Sequence, residues 1–537
     1  MLEGCVPWPA EFAERYRREG YWQGRTLHDL LRAAEREHGG RTAVVSGARR
    51  LTFTQLLTQA EELAAGLYNA GIRAQDRVVV QLPNQDTFVV LCFALFRLGA
   101  VPVMALPGHR RNEIVHLCRH ADAAAYVVPD RFQGYDYRAL AREVRAEVPG
   151  LRHVLIAGDA GEFTPLAALR AAPMELPPVD PGEVALLLLS GGTTGLPKLI
   201  PRTHDDYAYN ALACARALDV DRHSAYLAAT PVAHNAALGC PGVLGTLFVG
   251  GKAVLAANPS PEEALPLVLR EGVTLTTLVP PLVMMWLADP EVAKADLSGL
   301  LLQVGSSKFQ PEVARQVRAA LGCRLTQWYG IGEGLLTHTR LDDPDDVVLT
   351  TEGRPLSGAD EIRVVDDAGR DVSPGVVGEL LARGPYTIRG YYRAAEQNAK
   401  AFTPDGFFRT GDLVRLTPEG NLVVSGRVKD IIHRGGDKVS AEEVENHLLA
   451  HPAVRDVAVV GLADDSLGER VCAYVIAESA PDAAPGERLR LSRLKAFLKE
   501  RGLAAYKLPD QLELVDSFPK TPVGKVDKKV LRARGGA

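Results

Sequence analysis

Short apolar runs alternate with helix-patterned segments through the first 400 residues of this 537-residue chain. Leu56, Ala60, Leu63 and Leu67 recur at helical spacing, and residues 78–82 then read as a strand. Residues 101–106, 184–189, 273–279 and 300–304 read as further buried strands with helices between them. Strands that alternate with helices bury both faces of a sheet, which gives a layered α/β domain with largely parallel sheets. At this length the usual domain size suggests about three to four structural units. The sequence shows no internal repeat and no heptad pattern.

The tail has a different character. Residues 426–430, GRVKD, open a short charged passage that runs to Lys438. Ser440-Ala441-Glu442-Glu443 has the form of a capping box, and Val444 and Leu448 share the inner face of the helix it starts. Residues 454–460 and 471–476 read as strands, 480–487 as a polar loop and 494–498 as part of another helix. The expected fold class is α/β: a large N-terminal domain of layered α/β subdomains, residues 1–428, plus a small mobile C-terminal α+β domain, residues 429–537.

Composition excludes several classes. A hydrophobic content of 47% with 24% charged residues is that of a globular enzyme. The net charge of −5, with no strongly basic block, argues against a nucleic-acid partner. The seven cysteines, at 5, 92, 118, 214, 240, 323 and 472, form no CxxC pair and are odd in number. They read as neither a disulfide framework nor a zinc site and fit a reducing, cytoplasmic setting. The N-terminal stretch is charged and lacks the apolar core of a signal peptide. Residues 224–251 carry no acid, lysine or arginine and are long enough to span a bilayer. Pro231, His234, Asn235, Pro241 and several glycines interrupt them, so they read as a core helix lining a pocket, not as a membrane span.

Residues 190–198, SGGTTGLPK, follow the apolar run 184–189 and have the make-up of an anion-holding loop. A P-loop needs Gly-Lys-Ser/Thr opening a helix. Here Pro197 precedes Lys198 and Leu199 follows it, so the metal-binding hydroxyl is missing and proline removes a backbone donor. What remains is a glycine-rich loop with hydroxyls at Ser190, Thr193 and Thr194 and a cation at Lys198, with an ordinary strand-to-strand turn as the alternative.

Further motifs follow in order: YGIGEG at 329–334, FRTGDL at 408–413, GRVKD at 426–430 and PKTPVGKVDKK at 519–529. Together they resemble the adenylate-forming enzymes: acyl-CoA synthetases, luciferases and nonribosomal adenylation domains. The resemblance runs essentially end to end. LIPRTHDDY at 199–207, AHN at 233–235 and RGPYTIRGYY at 383–392 look like the stand-alone aryl-acid AMP ligases that activate 2,3-dihydroxybenzoate or salicylate in siderophore assembly.

The resemblance implies two half-reactions. A carboxylate attacks the α-phosphate of ATP with Mg2+, giving an acyl-adenylate and pyrophosphate. A thiol, from CoA or from the phosphopantetheine of an aryl carrier protein supplied in trans, then displaces AMP. Lys525 matches the catalytic lysine of the first step, Glu333 the acid that with Thr194 places Mg2+, and Asp412 the carboxylate on the ribose hydroxyls. Arg427 matches a second ribose or phosphate contact. Tyr329 would stack on adenine, Gly305 would line the nucleotide's side, and Gly330 would belong to the same nucleotide site. Ser190, Gly191, Gly192, Thr193, Thr194, Gly195 and Lys198 would close over the β- and γ-phosphates. Asp430 falls at the family's hinge, and Gly436 and Lys438 at its thiol tunnel.

In the acid pocket, Asn235 would meet an ortho substituent and His234 would lie beside the carboxylate, with a catalytic or gating role. Cys240 stands where dihydroxybenzoate enzymes have serine, and Leu336 where they have a smaller valine, as in salicylate activators. Ala236 stands where the subgroup has tyrosine or phenylalanine, and Ser306 where it has glycine. These departures suggest a substituted 2-hydroxy- or 2-aminobenzoate such as a methylsalicylate or 3-hydroxyanthranilate. The alternatives are an aryl-CoA ligase for benzoate-type acids and a 2,3-dihydroxybenzoate-AMP ligase. A luciferase-like oxygenase fits the His-Asn pair less well, and a degenerate nucleotide-binding scaffold does not fit intact Lys525, Glu333 and Asp412. A homodimer is left open.

Overall fold

The computed structural model describes all residues except 191–196, 435–436, 465, 479–488, 522–524 and 536–537. By mutual packing the chain forms two units. Among the described residues, one comprises those up to 190, 197–361 and 382–408; the other comprises those in 362–381 and from 409 onward.

The first unit is built on two large sheets. In one, the strands Arg324–Gly330, Leu301–Gly305, Leu275–Leu278, Ala225–Ala228, Lys252–Leu255 and Thr42–Ser46 lie side by side in that order and run parallel. Antiparallel strands close both edges: Leu336–His338 and Arg354–Pro355 on one side, Arg49–Thr52 on the other. In the second sheet, Arg77–Val80, Val101–Met104, Ala123–Pro129, His153–Ala157 and Val184–Leu189 are parallel, and Leu199–Thr203 runs antiparallel at the edge. The apolar runs are buried strands as expected, because strands covered on both faces need no polar alternation.

The helical spacing of Leu56, Ala60, Leu63 and Leu67 is realised in the helix Phe53–Asn69, where all four are buried. The helix His204–Ala217 carries two pocket residues and is buried nearly all round. A full capping box starts it: the Thr203 hydroxyl accepts the Asp206 N–H, and the Asp206 carboxylate accepts the Thr203 N–H.

Residues 224–251 depart from the expected core helix. They form the strand Ala225–Ala228 and two short helices, Asn235–Gly239 and Gly242–Phe248. Pro241 and Gly242, the latter at φ +58, break the helical path between them. Among the described residues no helix is long and apolar enough to cross a membrane.

The second unit carries most of a four-stranded sheet and a five-stranded one. Within the latter, Val454–Asp464 pairs antiparallel with Gly468–Ala477, and Gln511–Leu514 adds in parallel. The helix Ala441–Leu449 packs Val444 and Leu448 into that core. Ser440 does accept the Glu443 N–H, but the Glu443 carboxylate is engaged by Lys507 at 2.7 Å. A cation within reach competes with the backbone for that carboxylate. The polar stretch 480–487 lies outside the described residues.

Candidate functional site

The candidate phosphate loop, residues 190–198, lies between two antiparallel strands, Val184–Leu189 and Leu199–Thr203, and a strand, not a helix, follows it. Its base is closed like a hairpin: Ser190 N donates to the Lys198 carbonyl at 2.9 Å, and Lys198 N donates to the Ser190 hydroxyl at 3.1 Å. Gly191, Gly192, Thr193, Thr194 and Gly195 lie outside the described residues. Lys198 stands with its Nζ 4.0 Å from the centre of the Tyr391 ring. Burial lowers its pKa, and the nearby Glu333 charge partly offsets that.

Tyr391 links this lysine to the candidate metal acid. Its hydroxyl donates to Glu333 Oε1 at 2.7 Å. Burial first, and the Glu333 carboxylate second, raise the Tyr391 pKa, so the hydroxyl stays a donor. The backbone around Glu333 is also pinned. Ile388 N donates to the Glu333 carbonyl at 2.8 Å, and Arg202 Nη1 donates to the Gly332 carbonyl at 3.1 Å. One carboxylate oxygen is thus held by Tyr391, and the other suits a hard cation that takes its remaining ligands from substrate phosphates. Among the described residues no group of three or more His, Cys, Asp or Glu could hold a metal ion by itself.

The candidate acid pocket is built around the short helix Asn235–Gly239. His234 caps it: its Nδ1 accepts the Ala236 N–H at 3.3 Å. A neutral ring that accepts at Nδ1 carries its proton on Nε2, which makes that edge a donor. The Asn235 amide is oriented from both ends. Its Oδ1 accepts the Tyr207 hydroxyl at 2.8 Å, and its Nδ2 points at Cys240 Sγ, 3.5 Å away. Cys240 is fully buried and packs in one cluster with Ala236, Trp328 and Leu336. Ser306 sits at φ +68, in the left-handed region. That region favours glycine and costs a serine roughly 1–2 kcal/mol. Gly305 and Gly330 are glycines for space. A Cβ on Gly305 would lie 2.3 Å from Trp328 Nε1, and one on Gly330 would lie 2.5 Å from Leu336 Cδ2. Tyr329 is largely buried at the end of the strand Arg324–Gly330.

In the second unit Asp412 and Arg427 face each other across a strand pair, and Arg427 Nε donates to Asp412 Oδ1 at 2.8 Å. Lys525 belongs to the same cluster. Its pKa is lowered to about 8, by burial first and then by Arg427 and Lys429, while Asp412 acts the other way. Three cations around one carboxylate form a site that an anion would relieve. Thr521 holds the lysine's backbone: its hydroxyl accepts the Lys525 N–H at 3.2 Å, and its N–H donates to the Lys525 carbonyl at 2.7 Å. Asp430 closes the turn Val428–Asp430, and its carboxylate takes Arg532 at 2.6 Å. Lys438 lies in the strand Asp437–Ser440, its side chain outside the described residues, as is Gly436.

Four residues with no role in the sequence reading emerge here: Tyr391, Tyr207, Arg202 and Lys429. Each stands inside a quoted motif, so the signal was present without a partner to interpret it.

Residues 31–392 match the family model described as AMP-binding enzyme, and residues 443–525 match the AMP-binding enzyme C-terminal domain. The chain is 56% identical to Triostin synthetase I of Streptomyces triostinicus over 533 residues, covering 99% of each. It is 55% identical over 534 residues to the 2,3-dihydroxybenzoate-AMP ligase of Bacillus subtilis, covering 99% of this chain and 98% of that one. The solved apo structure of Mycobacterium smegmatis MbtA is 47% identical, with a TM-score of 0.77 and 99% of both chains covered.

Proposed function

The chain belongs to the AMP-binding enzyme family of adenylate-forming ligases, and from that premise we propose that it activates an ortho-substituted aryl acid and passes it to a phosphopantetheine thiol. In the first step a carboxylate oxygen bonds to the α-phosphorus of ATP and pyrophosphate leaves. In the second the thiol sulfur bonds to the acyl carbon, AMP leaves, and the thiol proton passes to solvent.

The observation that carries the aryl-acid reading is the oriented Asn235. Tyr207 occupies its oxygen, so the amide N–H groups are what it can offer a ring substituent. One N–H points toward the Cys240 sulfur, a weak acceptor, and the other is available to a hydroxyl or amino group ortho to the carboxylate. His234, with its proton on Nε2, would donate to the carboxylate. Cys240 offers a 3-hydroxyl no strong partner, which disfavours 2,3-dihydroxybenzoate, the substrate named for the Bacillus subtilis relative. Small Ala236 would leave room beside the ring. Ser306, kept in a strained backbone conformation, would bring a hydroxyl to that pocket.

For the nucleotide, Asp412 would accept both ribose hydroxyls, and Lys525 with Arg427 would neutralise phosphate charge. Glu333 would hold Mg2+, which supplies charge neutralisation at the phosphates when bound, with Thr194 as a second ligand. Tyr391 keeps Glu333 aimed. The acceptor is a carrier protein or CoA, and loading each with the same adenylate decides between them.

The test is acid-dependent ATP–pyrophosphate exchange over salicylate, 2,3-dihydroxybenzoate, 6-methylsalicylate, anthranilate, 3-hydroxyanthranilate, benzoate and several fatty and amino acids. A substituted 2-hydroxy- or 2-aminobenzoate is expected to rank first by kcat/KM, and Ser306→Gly is expected to flatten the ranking. Silence with every aryl acid refutes the pocket assignment. A ranking led far ahead by unsubstituted salicylate refutes the substituted-ring reading.

A further inference from the structure

Arg202 is wholly buried in the strand Leu199–Thr203, yet it carries a charge. A buried guanidinium persists only when its donors are satisfied. Here four groups surround it. Nε donates to Asp206 Oδ1 at 2.7 Å, and Nη2 donates to Asn210 Oδ1 at 3.2 Å. Its planar face lies 4.8 Å from the centre of the Tyr207 ring. Nη1 donates to the Gly332 carbonyl at 3.1 Å, one residue before Glu333.

Three of these partners stand on the helix His204–Ala217, and two of them, Tyr207 and Asn210, reach the candidate acid pocket. The Tyr207 hydroxyl donates to Asn235 Oδ1 at 2.8 Å. Asn210 Nδ2 donates to the Gly239 carbonyl at 2.7 Å and points at Cys240 Sγ, 3.9 Å away. The fit is close, since a Cβ on Gly239 would lie 2.7 Å from the Tyr207 hydroxyl.

We propose that Arg202 is a positioning residue that couples the acid pocket to the metal-acid loop, so that one guanidinium sets both the Asn235 amide and the Gly332–Glu333 backbone. The inference rests on the function proposed above. A fixed fork suits this task, because a planar guanidinium holds three acceptors in fixed directions, whereas an ammonium is a point charge on a flexible stem. Arg202→Lys keeps the charge beside Asp206 and cannot also reach Asn210 and Gly332.

The measurement is exchange kinetics with the aryl acid that ranks first for the wild type, at varied acid and at varied Mg2+. Arg202→Lys is expected to raise the KM for the acid and the Mg2+ concentration for half-maximal rate together, each by about tenfold, the scale of one lost charge-assisted bond. Asn210→Ala leaves the Arg202–Asp206 pair in place and is expected to shift both in the same direction by less, which keeps the test decisive if Arg202→Lys does not fold. Tyr207→Phe removes only the hydroxyl on Asn235 and is expected to raise the acid KM without moving the Mg2+ dependence. Folded variants with a lowered Tm but unchanged acid KM and Mg2+ dependence would overturn the coupling, as would a shift in only one of the two in Arg202→Lys and Asn210→Ala. A wild type silent with every aryl acid overturns the parent reading instead, and the two failures are distinct.

Discussion

Lys525 is set apart from its neighbours by surroundings, not by sequence. Lys520 and Lys529 are exposed, and Lys528 is committed to Glu445 at 2.7 Å. Lys525 instead shares a cluster with Arg427, Lys429 and Asp412, and its pKa falls to about 8. A lysine that neutralises a transferring phosphate must be protonated. In the free enzyme, kcat/KM for exchange is therefore expected to fall as pH rises through about 8. Bound ATP, being anionic, raises the pKa, so the fall in kcat comes at higher pH. Lys525→Ala is expected to lower exchange by at least about 100-fold and abolish the limb near pH 8. Thioester formation from preformed adenylate should change little. Equal loss in both half-reactions would show that the lysine serves more than adenylation.

At the scale of elements, the turn Val428–Asp430 joins the strands Leu422–Arg427 and Ile431–Arg434. A segment that serves two reactions in turn needs backbone torsions free to change at such a place. Asp430→Pro fixes one of them and is expected to slow thioester formation several-fold more than exchange. The substitution also removes the ion pair with Arg532, so Arg532→Ala is the control and should spare the ratio of the two rates. A defect confined to adenylation would place the moving turn elsewhere. The strands themselves were legible because a run such as Val184–Leu189 is apolar throughout and admits little else. Residues 224–251 were not, because a lack of charge says that a segment is buried but not where Pro241 and Gly242 divide it. In the candidate site, the proposal of His234 and Asn235 came from a motif, which needs no fold to be read. Tyr391 and Arg202 were missed because their partners, Glu333 and Gly332, lie 58 and 130 residues away, and only the fold brings them together.

At the scale of the whole molecule, buried ionisable groups outside the chemistry decide how stability follows pH. Glu271 is held by Arg50 at 2.6 and 2.9 Å, with Arg270 and Lys252 nearby. The Arg50 bond is the chief cause that lowers its pKa to about 2 from 4.5. Its contribution is present above 4.5 and is lost as pH falls toward 2. Asp360 works in the opposite sense. Burial raises its pKa to about 7 from 3.8, against the pull of a hydrogen bond from Tyr386. That hydroxyl donates to Oδ2 at 2.6 Å, while among the described residues the buried Oδ1 has no hydrogen-bond partner. Between those two pKa values the folded state keeps a proton that the unfolded chain has released, so stability falls as pH rises from about 4 to about 7. Asp360→Asn keeps an acceptor for Tyr386 and removes the charge. It is expected to be more stable than the wild type by about 1–2 kcal/mol at pH 7.5, with the gap closing toward pH 4. Denaturant titrations of both proteins across that range measure the gap. A constant difference at every pH would mean that the Asp360 carboxyl does not titrate between the two states, and that the wild-type slope arises from other groups.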